Sequence, residues 1–519
     1  VPHLQVCSLA RILPCQCPLK LDLYNVSDLF EMVNPKRYPV QLPFKPDGSY
    51  RSLFGPWVYH PAIEYSNSEE NHRLGLMRWV APRIDQLTDD FYRNNQRKFC
   101  NYGIVHALKK ILRERVSRLF SSNYNFQEDI RVNAYAQHPK RAVRIIAYLF
   151  LRDSGCLHID DYIPFIRSAK HVRGKLKRFE YAKRGKKPRI VVDLTTEGSL
   201  ILGTIINVMK EAFTDPIILG DCRLTFCASP QVDNLKVAFD RLLNPVYKTE
   251  YLYFSDDSCI VYSTPTGLKR ANVDISSCDM SHTPALFNVL QYISYGHPDV
   301  GDLMAKAIKQ LTYPLKVGRL LMQPKQPVLY SGSVLTTTVN NLASLLIGIS
   351  IHGSGDIVGG ASRAGYIVTI DEVFNDERYQ FLKHSPTRVD GDLRVFMNLG
   401  VLLRTLGSCR GDLPGKGGLN KRADLFISSV ALAFQHSGKS NFLKNLLLRY
   451  NCKVKPKYDS WYYARDLDNH DEISDLSYTN RYGVDGIANL SRWILNAELY
   501  SVYHTHFTDE VFRIDYDYV

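Results

Sequence analysis

Apolar and polar residues recur with two periods along this chain, and the switches between them mark its organisation. From Gly103 to Leu119 apolar positions return at helical spacing, which predicts an amphipathic helix. Before about residue 165 such stretches mix with Pro-rich, loop-like pieces such as NPKRYPVQLPFKPDG. Arg189 to Leu194 alternates with the period of a strand and leads into a longer helix toward Phe213. Tyr251 to Ser263, YLYFSDDSCIVYS, is rich in β-formers on both sides of a polar tip, which predicts a hairpin. Thr264 to Gly267, TPTG, then supplies turn geometry, and ANVDIS returns as another short strand. Thr336 to Ser350 opens with alternation and continues as an apolar helix, and from about Asp392 helical patterns dominate. Mixed hairpins and helices without repeats predict an α+β chain.

Composition narrows the class. At 519 residues the chain is long enough for about three or four packed units. Apolar residues make up 45% and charged residues 23%, ordinary globular usage that excludes disordered, collagen-like and coiled-coil chains. The net charge of +13 points to a polyanionic partner. That charge is concentrated: RSAKHVRGKLKRFEYAKRGKKPR, Arg167 to Arg189, holds eleven Lys or Arg and one Glu. Tyr458 to Val519 has the opposite sign, with twelve Asp or Glu against four Arg. Eleven scattered Cys without a CxxC pair suggest a reducing compartment, and Cys7, Cys15 and Cys17 near His3 match no common zinc spacing. No apolar run approaches the ~18–20 residues of a membrane span, so a soluble protein is expected.

The candidate chemistry is a cluster of carboxylates. Asp256 and Asp257 sit at the hairpin tip, and the returning strand brings Asp274 beside them if neighbouring strands pair at ~4.8 Å. Clustered carboxylates repel unless a cation lies between them, and hard divalent ions such as Mg²⁺ are the usual answer. Two such ions, about 3.5–4 Å apart, serve in-line displacement at phosphorus. DISSCD places Asp279 five residues beyond Asp274. In SGSVLTTTVNN, Ser331 and Gly332 form a flexible turn, and Thr336 and Asn340 fall on one face of the helix that follows.

These pieces resemble the palm motifs of viral RNA-dependent RNA polymerases: motif A in DISSCD, motif B in SGSVLTTTVNN and motif C in the Asp-Asp hairpin. Their order here is C, A, B, which resembles the permuted polymerases of permutotetraviruses and birnaviruses, and the tip reads SDD, closer to the former. GKKPRIVVD resembles the basic motif F, with Lys187 and Arg189 on one strand face and Lys183, Arg184 and Lys186 just before it. AGYIVTID resembles motif D, whose usual Lys has no counterpart in TIDEVFNDER, where Arg378 is the nearest cation. Phe381, Leu382 and Lys383 resemble the motif E primer grip.

The resemblance implies a right-hand fold with permuted palm connectivity. Fingers would occupy residues 1–230 (motif F 167–194) plus an insertion at about 291–329. The palm would span 231–391, with motifs C 251–263, A 271–281, B 331–350, D 361–378 and E 379–385, and a helical thumb 392–519. It implies template-directed nucleotidyl transfer with two Mg²⁺ or Mn²⁺ ions held by Asp256 and Asp274 with Asp257 in support. Asp279, Ser331, Gly332, Thr336 and Asn340 would position the ribose, and Lys187 and Arg189 the triphosphate. RNA template and product and nucleoside triphosphates are the implied partners, with self-association left open and the host cytoplasm as the setting. A reverse transcriptase would use the same carboxylates but would typically place an aromatic residue at the sugar. A non-catalytic RNA-binding or capsid protein would need only the basic block. A hydrolase would need a GxSxG elbow or equivalent around Ser331, which is absent.

Overall fold

The computed structural model describes residues 40–41, 62–79, 102–121, 123–137, 172–177, 179–181, 188–193, 196–228, 232–282, 284–324, 327–354, 356–373, 381–382, 384–389 and 391–397. In chain order these form β1 (Val40–Gln41), β2 (Ala62–Tyr65), α1 (Glu69–Met77), α2 (Tyr102–Leu119), α3 (Phe126–Gln137), β3 (Val172–Lys177), β4 (Phe179–Tyr181) and β5 (Arg189–Asp193). Then come α4 (Thr196–Lys210), β6 (Ile217–Leu219), β7 (Cys222–Phe226), α5 (Val232–Leu243), β8 (Thr249–Phe254), β9 (Asp257–Thr264) and β10 (Gly267–Ile275). After them lie α6 (Cys278–Ser281), α7 (Pro284–Ser294), α8 (Pro298–Gln310), β11 (Leu315–Val317) and β12 (Leu320–Met322). The last elements are α9 (Thr336–Ser354), α10 (Ile357–Arg363), β13 (Val368–Glu372), β14 (His384–Val389) and β15 (Asp392–Met397). The arrangement is α+β with sheets paired mainly antiparallel. Among the described residues no helix is long and apolar enough to cross a membrane.

A six-stranded sheet ordered β13-β10-β9-β8-β7-β6 is the largest among the described residues. β8, β9 and β10 run as an antiparallel meander through the SDD and TPTG turns, so Asp274 lies directly opposite Asp257. β7 pairs parallel to β8, and β13 pairs antiparallel to β10 on the other edge. Alternation gives the sheet two apolar faces. One carries Tyr251, Tyr253, Ile260 and Val273 against the large core that includes Val339, Leu342, Ala343 and Leu346 of α9. The other carries Leu252, Cys259 and Val261 against Leu235, Phe239 and Leu242 of α5. Fully burying such side chains contributes roughly 1.5–3 kcal/mol each.

α9 is buried from Thr338 through Ile351, with apolar residues on every side and Asn340, Asn341, Ser344 and Ser350 buried among them. It approaches the sheet so closely that a Cβ on Gly348 would meet the Tyr251 ring at 2.8 Å.

A second sheet, ordered β12-β11-β3-β5, carries the charge. Val172, Leu176, Ile190, Val192, Leu315 and Val317 are buried on one side. Arg173, Lys175, Lys177, Arg189 and Lys316 lie on the exposed side, so β3, β5 and β11 share one basic face. β11 and β12, from within the 291–329 stretch, thereby join the strands of the basic block.

The helical pattern expected from Asp392 gives way to a strand at the outset. β14 and β15 pair antiparallel, and Gly391 between them is left-handed at φ 84. Asp-Gly between β-formers is a strong hairpin signal, and it overrides the weaker periodicity that follows. Residues 398–519, including the acidic segment, lie outside the described residues, as do Cys7, Cys15, Cys17 and Arg378.

Candidate active site

The site forms where the central sheet, α9 and the basic sheet meet. Phe254 ends β8 and Asp257 begins β9, leaving Ser255 and Asp256 as a two-residue turn. Ser255 is left-handed at φ 53, a conformation that glycine adopts without steric cost and serine does not. α9 holds it there. The Ser255 N–H donates to Asn341 Oδ1 at 2.6 Å, Ser344 Oγ donates to the Ser255 carbonyl, and Asn340 Nδ2 reaches Ser255 Oγ at 3.4 Å. Lower on the same helix, the Tyr251 hydroxyl donates to the Ser344 carbonyl at 2.8 Å. The tip is thus fixed by the buried helix behind it, and neither Asn341 nor Ser344 carries a sequence signal for that role.

A cleft of about 330 Å³ opens beside the tip, lined by Asp256, Asp274, Asp279, Ser331 and Arg189, and by Arg78 and Trp79 from the end of α1. Asp274 is exposed and Asp256 half-buried. Burial pushes the Asp256 carboxyl above its ordinary range, and the charge of Asp279 adds to the push; its own backbone hydrogen bond and Arg189 across the cleft oppose it. Asp257, paired with Asp274, stands behind the wall. The Cys278 thiol is driven well up by burial and, in smaller part, by the negative charge of Asp256, Asp279, Asp274 and Asp257, in that order.

Asp279 is held from two sides. Ser331 Oγ donates to its Oδ2 at 3.0 Å, and Asn340 Nδ2 donates to its Oδ1 at 3.0 Å. Asn340 Oδ1 lies 2.7 Å from His282 Nε2 and 3.3 Å from Cys278 Sγ, while His282 Nδ1 lies 2.8 Å from the Tyr366 hydroxyl. Gly332 follows at φ 92, and a Cβ there would meet Val191 Cγ1 at 3.0 Å and the Val192 carbonyl at 3.1 Å. The close approach is needed because the Val192 N–H donates to the Ser331 carbonyl at 3.0 Å, tying the basic strand to the turn.

Other expected site residues sit elsewhere. The Thr336 hydroxyl donates to the Tyr330 carbonyl at 3.3 Å, so Thr336 fastens the turn and is not on the cleft wall. Phe381 is buried in the core under α5, on the sheet face away from α9, and Leu382 is left-handed at φ 53. Lys383 and Lys187, with Lys183, Arg184 and Lys186, lie outside the described residues. Sequence reading passed over Arg78, Trp79, His282 and Tyr366. The first two come from a segment without a motif, and a His or Tyr in an apolar stretch reads as core.

Asp256 and Asp274 on one wall, with Asp279 adding repulsion, present oxygen donors where a hard divalent cation would relieve charge, so these residues fit the expected ions. Ligand atoms of Cys278, Asp279 and His282 also lie within 4.8 Å of one another. They are knitted together through the Asn340 amide, and a thiol with an imidazole does not suit Mg²⁺ or Mn²⁺. No protein-family model matches the chain, and a search of curated proteins found no match.

Proposed function

We propose that the chain is an RNA-dependent RNA polymerase of the right-hand type with a permuted palm, similar to those of permutotetraviruses and birnaviruses. The observation that carries this reading is the convergence of Asp256, Asp274, Asp279, Ser331 and Arg189 on one cleft. The permuted order is compatible with such a site because the hairpin and the Asp274 strand are consecutive antiparallel neighbours. The fingers would take the region up to about 230, except β6 and β7, which join the central sheet, and the 291–329 insertion; the palm would take the central sheet with α9, and the thumb the chain after the β14–β15 hairpin. Replication and transcription of a viral RNA genome in the host cytoplasm is the corresponding biological role.

In this reading Asp256 and Asp274 would hold two Mg²⁺ or Mn²⁺ ions, with Asp257 in support. Bound there, the ions would lower the pKa of the attacking 3′-hydroxyl and offset charge on the pyrophosphate leaving group. The hydroxyl oxygen gives up its proton to water and forms a bond to the α-phosphorus as the bond from that phosphorus to the bridging β-phosphate oxygen breaks, and pyrophosphate leaves. Arg189 orients the triphosphate by charge-assisted hydrogen bonds, with Lys187 the second expected contact. Asp279, with one donor on each oxygen, keeps lone pairs for a ribose hydroxyl, and Ser331 and Asn340 fix its direction. The basic face of β3, β5 and β11 suits the phosphate backbone of template or product RNA.

The test is template-dependent RNA synthesis with Mg²⁺ or Mn²⁺ by wild type, Asp256→Ala and Asp274→Ala. Synthesis by wild type and its loss in both variants is expected. Equal synthesis by all three would sink the metal-site assignment, and no incorporation by folded wild type on any template would favour a non-catalytic RNA-binding protein.

A further inference from the structure

Asp279, Asn340, His282 and Tyr366 form a chain of hydrogen bonds that runs from the cleft wall into the core. His282 is 3% exposed and Asn340 3%, so neither polar group has water as a substitute partner. The directions of the bonds follow from which groups can donate. The Asp279 carboxylate accepts only, so the Asn340 NH₂ faces it and the amide oxygen faces inward. That oxygen is an acceptor, so His282 must carry its proton on Nε2, and Cys278 S–H supplies the second donor. In the neutral imidazole Nδ1 is then an acceptor, which the Tyr366 hydroxyl satisfies as donor. Reversing any one link leaves two donors or two acceptors face to face. Tyr366 is itself 3% exposed and edge-on to His282, with ring centroids 5.7 Å apart, so packing supports the same orientation.

We infer that His282 and Tyr366 are positioning residues for sugar selection: they anchor the inward oxygen of the Asn340 amide and, through that amide, steady the carboxylate of Asp279 that faces the ligand. This rests on the reading of Asp279 and Asn340 as ribose-recognising groups. Neither His282 nor Tyr366 reaches the cleft, and each acts through Asn340. Without the His282 donor, the inward Asn340 oxygen keeps only the weaker Cys278 S–H, and the amide is held less firmly. Its bond to Asp279 loosens with it, and the carboxylate is less well kept in the position in which it accepts a 2′-hydroxyl. A merely structural role would lower affinity for every nucleotide alike, whereas this role lowers the preference for ribose.

Equilibrium binding of ATP and dATP in the presence of Mg²⁺, by wild type, Tyr366→Phe, His282→Ala and His282→Gln, tests the inference. Wild type should prefer ATP by roughly tenfold or more, since a site built to hydrogen-bond a hydroxyl rejects the analogue lacking it. Tyr366→Phe, which removes one oxygen and keeps the ring, should reduce that ratio about threefold, the scale of one net hydrogen bond. His282→Ala should reduce it further than Tyr366→Phe does, and His282→Gln should restore part of it, because a glutamine amide N–H can donate to Asn340 Oδ1. An unchanged ratio in Tyr366→Phe, equal losses for both nucleotides, or a wild type without ribose preference would overturn the inference. If His282→Ala does not fold, Tyr366→Phe decides. Binding is measured apart from synthesis, so ribose preference that depends on His282 in a protein that never polymerises would retain the relay and sink the polymerase reading.

Discussion

The acidic wall and the basic wall of the cleft are built in opposite ways. Asp256, Asp257, Asp274 and Asp279 fall within 24 residues, and their placement follows from strand register, two tight turns and a buried helix. Arg78, Arg189 and the basic sheet face come from three segments far apart in sequence, joined across the parallel pairing of β3 with β11. Asp256 is in part withdrawn from solvent, and that burial, with the charge of Asp279, pushes its carboxyl up. The cations of the sheet are exposed. A pre-arranged acidic centre should respond to substitution nearly all-or-none, whereas an exposed basic face should respond in graded, salt-dependent steps.

Substituting Asp256 gives the largest expected effect. Asp256→Asn should reduce template-dependent synthesis at least ~10²–10³-fold, the scale of losing one pre-organised electrostatic group. The same change should raise thermal stability without divalent cations. With its folded pKa above the unfolded value, Asp256 binds more protons in the native state, so ionising it costs stability above the folded pKa. Melting in EDTA should therefore show Asn above Asp at pH 8, with the gap closing as pH falls through the folded pKa of Asp256. An Asn variant that melts below wild type at pH 8 would break the contrast between the two walls.

Next is the junction between the walls. Gly332→Ala should destabilise the protein by about 1–3 kcal/mol, because it strains a left-handed residue and crowds the Val192 carbonyl. Chemical denaturation reads this loss, and a neutral substitution would mean that the turn and the basic strand are not held together as described.

Arg189→Ala should raise the KM for nucleotides about tenfold, the scale of a charge-assisted hydrogen bond, while changing RNA affinity less. Arg78→Ala, on the same cleft, should act in the same direction, and steady-state kinetics against filter binding separates the two effects. Equal effects on nucleotide and RNA would merge the cleft with the sheet face.

The smallest expected effects belong to the sheet. Replacing Arg173, Lys175 and Lys177 together by Gln should weaken binding of single-stranded RNA at low salt. The slope of log affinity against log salt should fall by about 2, at ~0.7 for each phosphate that is no longer neutralised. An unchanged slope would mean that RNA does not run over this face.

The local elements were legible because each has its own signal. The SDD hairpin, the TPTG turn, the strand after it and the helix from Thr336 follow from alternation, turn residues and apolar run length, and all four form. Asp279, Ser331 and Asn340, which the resemblance grouped, do meet, but Thr336 does not reach the cleft although it shares a helix with Asn340. Its hydroxyl is close enough to the Tyr330 carbonyl to bond there, and helical periodicity cannot foresee that competition. The β14–β15 hairpin had its Asp-Gly signal, which was outweighed by the periodicity beyond it.

By itself the sequence determined the carboxylates, the tip that bears them, and the basic strand that begins at Arg189, because alternation, turn geometry and charge are short-range properties of neighbouring residues. Tertiary structure alone decided which groups from distant segments complete the site. Arg78 and Trp79 reach the cleft from the end of a short helix, α9 supplies the bonds that hold Ser255 left-handed, and Tyr366 and His282 orient Asn340 from within the core. The physical reason is that a hydrogen bond between residues 58 or 84 positions apart leaves no trace in local pattern. It exists only once burial has removed water and the two stretches of backbone have been brought together.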